Sequence, residues 1–335
     1  MPATPGSASR SWAGHSALAV RMAAPAFVLL WSSAFIAGTV GLRSAPPLLL
    51  TLMRLAAAGL ILSVAAWITR APWPRGRQLG HVIVAGLLLQ AAQFGGFYWA
   101  LSLGLPAALV ALIQGLTPVL TATAAWLLMG ERTSVRQRLG FVLGAAGVLL
   151  AVAGRMDVHG GVGAAMIPAA IGLAGAGLGL LYQQRYCTGM DLRTGTATQL
   201  LASVPVLALL AFTVEHPEVS HPLSLAWSLA WLVLVNSIGA FLLMYTMLRH
   251  RSASAVSSLF FLTPAVTAVL AFIFLGEGLS WAIVAGLAVS GVGVTLATRQ
   301  PSAASASRAA PGPSQGRPAG HAEDSVAAGA LKGRE

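Results

Sequence analysis

Apolar residues run along this chain in long blocks, divided by short segments that hold nearly all of its charge. About 20 helical residues cross the roughly 30 Å of hydrocarbon in a bilayer. Ten blocks approach or exceed that length: 20–42, 46–69, 80–102, 105–129, 137–154, 162–183, 196–214, 225–248, 252–276 and 280–298. The pattern predicts an all-α integral membrane protein with ten transmembrane helices and short connections. Residues 1–19 show no small-residue cleavage site after an apolar core. They are expected to form a cytoplasmic tail, with the first block kept as helix one rather than removed as a signal peptide. Residues 299–335, rich in Ala, Gly, Ser and Pro, lack the large apolar side chains that offset ordering entropy, so a disordered cytoplasmic tail is expected there.

Composition agrees with the pattern. Of the 335 residues, 56% are hydrophobic and 9% charged, against about a quarter charged in a soluble domain. The net charge of +11 would suit a nucleic-acid partner only if it gathered on a soluble domain, and it does not. With the N-terminus in the cytoplasm, Arg10, Arg21, Arg70, Arg75, Arg77, Arg132, Arg136, Arg138, Arg185, Arg193, Arg249, Arg251 and Arg299 all face inward, as does the C-terminal tail. Arg43 and Arg155 face out. This is the positive-inside distribution, and it predicts an even number of spans with both ends inside. Cys187, the single cysteine, has no internal disulfide partner.

Sliding the chain on itself by 146 residues aligns LTPVLTATAAWLLMGE at 116–131 with LTPAVTAVLAFIFLGE at 262–277. No gap is needed from 107 to 151, and 16 of those 45 positions are identical. Small apolar residues inflate such matches, but the shared Pro and Glu are not explained that way. The chain is therefore read as an internal duplication, residues 20–154 and 162–298. Five spans per copy is an odd number, so the second copy enters the membrane from the opposite side. Two inverted five-helix repeats are the architecture of many secondary transporters.

The segments LLWSSAFIAG in helix one and PPLLLTLMR in helix two, with the two TPxxTA…GE helices, resemble the ten-helix EamA-type transporters of the drug/metabolite transporter superfamily. The resemblance covers about residues 20–298. It implies export of an amino-acid-like solute, another small metabolite or a drug, and residence in a bacterial inner membrane. The direction of flux rests on the resemblance alone.

Several residues inside the blocks are candidates for the work. Pro118 and Pro264 lack an amide hydrogen and are expected to loosen helices four and nine at Gln114 and Phe260, as pivots or as packing kinks. Glu131 and Glu277 end those helices, where the macrodipole disfavours a carboxylate unless cations are near. Glu131 has Arg132, Arg136 and Arg138 close in sequence, whereas Glu277 needs a partner from another helix. Both are read as loop anchors or as gating groups. Arg54 is a base within a span, about eight residues from its outer end. It must meet carbonyls, hydroxyls, water or an anionic substrate group, because no acid lies in mid-membrane to pair with it.

The shift of 146 also pairs Gln90 with Asn236 and Trp99 with Tyr245. It suggests amides from helices three and eight on one cavity, with Gln93 and Phe97 on the Gln90 face. Trp31, Tyr98, Tyr182, Gln114 and Gln183 complete an aromatic and amide set suited to an amphipathic, uncharged or zwitterionic solute. Interhelical hydrogen bonding is the alternative role for each amide, and close helix packing is the expected role of Gly95, Gly96, Gly140, Gly144 and Gly147.

An enzyme would need clustered acids, bases or metal ligands. His15, His81, His159, His216, His221, His250 and His321 lie at span ends, loops or tails, without HExxH, paired acids or a Cys cluster, so neither a metal nor a cofactor is expected. The expected partners are a small-molecule substrate and the lipid bilayer. The alternative is a membrane channel, receptor or scaffold without transport activity. A channel would show a ring of repeated polar positions or a carbonyl filter, and an inverted repeat has no evident use in a receptor or scaffold.

Overall fold

The computed structural model describes residues 8–130, 134–153, 162–240, 243, 247 and 258–298. All regular structure among them is helical. The helices are α1 (Ala8–Leu42), α2 (Pro47–Ile68), α3 (Gly76–Ser102), α4 (Ala107–Gln114), α5 (Thr117–Met129), α6 (Val135–Ala153), α7 (Val162–Tyr186), α8 (Leu192–Val214), α9 (Pro222–Ala240), α10 (Thr263–Leu275) and α11 (Trp281–Thr298). A 3-10 turn at Ser258–Phe261 precedes α10. Eight segments are long and apolar enough to cross a membrane, with α4 and α5 counted as one, Ala107–Leu128. Two more, Thr263–Leu275 and Trp281–Leu296, are apolar but shorter. Helix α1 begins at Ala8, within the stretch expected to be a tail, and its membrane-length part is Met22–Leu42.

The two TPxxT segments do not kink continuous helices. Helix four stops at Gln114 and restarts at Thr117, and Thr263 starts α10 in the same way. Pro118 and Pro264 are each the second residue of the new helix, where the missing amide hydrogen would have had no intrahelical partner. Both restarted helices end alike. Gly130 and Gly276 take φ +68°, a left-handed cap that a Cβ would strain.

Helix α4 is central: Ala107 through Ile113 are at most 3% exposed. Around it the helices meet over glycine. A Cβ on Gly147 of α6 would lie 2.5 Å from the Ser290 amide of α11, and one on Gly286 would lie 2.5 Å from the Gly147 carbonyl. Backbone thus meets backbone at this seam. Gly96 likewise lets α3 approach the Pro168 carbonyl and Gly172 of α7, whereas Gly95 has only ordinary contacts. Large apolar side chains also cover the outside, among them Trp67, Leu128, Trp227, Phe274 and Trp281, the last 84% exposed. Such a surface suits hydrocarbon rather than water.

Candidate functional site

Pro46 and Pro47 fix the backbone for the first turn of α2, and Arg54 follows two turns later, 3% exposed. Its guanidinium is held by neutral groups. Nη1 donates to the Tyr98 hydroxyl at 2.5 Å and Nη2 donates to Asn236 Oδ1 at 2.6 Å. The Phe94 ring lies 4.4 Å from Cζ and the Tyr98 ring 5.8 Å, both within cation–π range. Asn236 is itself oriented, since its Nδ2 donates to the Leu30 carbonyl of α1 at 3.3 Å. Nε of Arg54 is buried without a partner. Among the described residues the one ion pair is Arg193 with Asp191, on the surface.

A buried cation without a counter-ion costs several kcal/mol. The fork is planar and matches a carboxylate in two hydrogen bonds. Here the two fork positions are taken by a hydroxyl and an amide, groups that an incoming anion can displace without separating an ion pair. Four helices converge on this point: α1, α2 and α3 from the first half of the chain and α9 from the second. Beside it, Trp31 packs edge-on against Phe260 at 5.0 Å, and Phe27 packs against both.

Asn236 lies in a π-helical turn, Trp231–Ala240, and Gln90 in another, Leu87–Ala92. The shift of 146 superposes these turns in sequence. Such wide turns interrupt the α-helical ladder and often occur at working sites. The two amides are nevertheless not brought together. The turn bearing Gln90 packs on α7 and α8, and the turn bearing Asn236 packs on α1 and α2.

The remaining candidates scatter. Gln93 and Phe97 are buried on α3, Gln114 is half-buried at the end of α4, and Trp99 is exposed. Tyr182 and Gln183 sit at the opposite end of the bundle. There the Tyr182 hydroxyl is 2.8 Å from His81 Nδ1, Gln183 Oε1 accepts from Gln199 Nε2 at 2.8 Å, and His81 stacks on Tyr186. Glu131 and Tyr245 lie outside the described residues.

Glu277 finds its partner in α4. Its Oε1 accepts from the Ala107 amide at 2.9 Å and Oε2 from the Ala108 amide at 3.5 Å. A second carboxylate, which sequence reasoning missed, does the same for α2. Glu215 accepts from the Leu48 amide at 2.9 Å and the Leu49 amide at 3.1 Å. Burial pushes its carboxyl above the usual range, although the two amides pull it down. A signal for both was present in the chain. Helices α2 and α4 start behind Pro46 and Pro106, which carry no side-chain cap, so an acceptor had to come from elsewhere.

The sequence pattern of the EamA-like transporter family matches residues 22–153 and again residues 163–299. The uncharacterized transporter YvbV of Bacillus subtilis (strain 168) is 28% identical over 266 residues, 78% of this chain and 85% of that protein. Protein PecM of Dickeya dadantii (strain 3937) is 28% identical over 77% of this chain and 85% of its own length. The probable terminal-alkyne amino-acid exporter of Streptantibioticus cattleyicolor is 29% identical over 82% of this chain and 91% of its own length. One solved crystal structure aligns with TM-score 0.57 and 22% identity, covering 83% of this chain and 96% of that one. With two copies of one family pattern spanning nearly all the apolar helices, the chain belongs to the EamA-like transporter family and is a membrane transporter, not an enzyme.

Proposed function

We propose that this transporter exports a small amino-acid-like metabolite or drug across a bacterial inner membrane by alternating access. In this reading ten spans form two inverted five-helix repeats with both termini in the cytoplasm, supported by the arginine distribution and the 146-residue duplication. Outward direction is supported by relatives named a probable terminal-alkyne amino-acid exporter and a probable amino-acid metabolite efflux pump. The inner membrane is supported by a relative named an inner membrane transporter in Escherichia coli.

The observation that carries the reading is Arg54, buried without a carboxylate partner among the described residues where helices of both repeats converge. Arg54 binds the solute's acidic group, Tyr98 and Asn236 exchange with it on the fork, and Phe94 and Trp31 offer apolar faces to the rest of the solute. Gln90, Gln93 and Phe97 line the route.

The test is differential export. Cells overexpressing the chain should accumulate outside a metabolite absent from cells expressing Arg54→Gln at equal membrane levels. Identical external profiles for the two would remove Arg54 from the transport site, and a profile equal to the empty vector for both would remove export itself.

A further inference from the structure

The carboxylates of Glu215 and Glu277 do more than finish two helices. Each accepts a pair of backbone amides at the start of a helix in the other half of the chain: Leu48 and Leu49 for Glu215, Ala107 and Ala108 for Glu277. Both donors belong to the first family match, 22–153, and both acceptors to the second, 163–299. All four helix ends lie at one end of the bundle: α3 returns the chain from the far end of α2 to the start of α4, and the hydrogen bonds set the ends of α8 and α10 against those two starts. A third tie crosses the same seam, where the Ser220 amide donates to the Ser44 carbonyl at 3.0 Å. Hydrogen bonds with an ionised acceptor are about twice as strong as neutral ones, and a carboxylate is further favoured at a helix N-terminus.

The Glu215 clamp sits at the start of the helix that carries the buried guanidinium. Leu48 precedes Arg54 by six residues on the same helix, about 9 Å of rise. Between them Leu50 and Thr51 are fully buried, with Leu105 2% exposed nearby in the same core. Helix α4, clamped by Glu277, is the central helix of the bundle. The other end is tied across the halves without a carboxylate, by the Thr194 hydroxyl to the Pro72 carbonyl at 2.6 Å and by His81 to Tyr182.

We propose that Glu215 and Glu277 form one gate of the transporter, a pair of carboxylate clamps whose release from the starts of α2 and α4 opens the Arg54 site at this end of the bundle. The proposal rests on the alternating-access reading, yet its test needs no substrate, so it can fail while export stands.

Purified full-length protein carrying Thr51→Cys would be treated with a thiol reagent, and labelling at position 51 and at the native Cys187 followed by mass spectrometry. Cys187 is buried beside Val82, Ala85 and Tyr182 at the opposite end, so it reports the other gate. Adding Glu215→Ala and Glu277→Ala should speed labelling at position 51 by about tenfold per clamp lost, the factor that 1.4 kcal/mol represents, while Cys187 labels no faster. Unchanged labelling at position 51 overturns the proposal. So does an equal rise at both cysteines, which is general loosening rather than a gate. If the double alanine variant does not insert, Glu277→Ala alone carries the same comparison.

Discussion

Arg54 is a fork with two neutral partners, and that arrangement separates it from a lysine. An ammonium is a point charge that cannot reach Tyr98 and Asn236 in the same plane. Arg54→Lys is therefore expected to lose transport by tenfold or more, about 1.4 kcal/mol, with membrane levels near normal; wild-type flux in that variant would exclude a bidentate role. Asn236→Leu leaves Nη2 without an acceptor and should cost about 1–3 kcal/mol of stability, visible as a lower melting midpoint in detergent. Glu215 gives a pH signature. Its carboxyl titrates above the ordinary range because it is partly buried. A folded-state pKa above the unfolded one adds stability at low pH that is lost as pH rises through the raised value. The melting midpoint should fall over that window, and the fall should be smaller in Glu215→Ala, which retains the neighbouring His216, Glu218 and His221. Equal slopes would show that Glu215 does not carry the effect. Arg54 was legible in the chain because a charge inside an apolar block is a one-dimensional fact. Its partners were not, since Tyr98 and Asn236 are 44 and 182 positions away and only packing decides which polar groups meet.

Eight of the ten apolar blocks were legible as membrane-length helices among the described residues, because apolar length is a local property. Interruptions within them were less so. Residues 105–129 read as one span, yet Gly115 and Leu116 separate α4 from α5, since proline favours beginning a helix over continuing one. The π turns around Gln90 and Asn236 left no residue-type signal at all; they depend on what packs against them. Glycine spacing was legible as close packing but not its partner helix. The α6–α11 seam now names one. Gly147→Val would set its Cβ 2.5 Å from the Ser290 amide nitrogen and 2.6 Å from the Gly286 carbonyl oxygen. Overpacking of that kind costs about 1–3 kcal/mol or more, so folded yield should drop, whereas Gly80→Val, with open space around it, should be tolerated. If both variants express and melt like the parent, the seam is looser than described.

At the scale of the whole molecule, an odd repeat and a one-sided arginine distribution predict opposite exposure for two loops. Cysteines placed at residues 70–79 should be shielded from an impermeant reagent outside the cell, and those at 215–224 should react. Equal labelling of the two would end the ten-span reading. The lone guanidinium has an electrical consequence. For a solute of net charge minus one, binding neutralises Arg54, so the loaded form carries no net charge at the site and the empty form carries one, whereas a zwitterion leaves both forms charged. One elementary charge moved through a full 100 mV is worth about 2.3 kcal/mol. With such an anion the voltage across the membrane therefore acts on the unloaded protein as it resets, not on the protein as it carries cargo. Exchange of such an anion for itself in vesicles should be indifferent to an imposed potential, and its net efflux should respond to it.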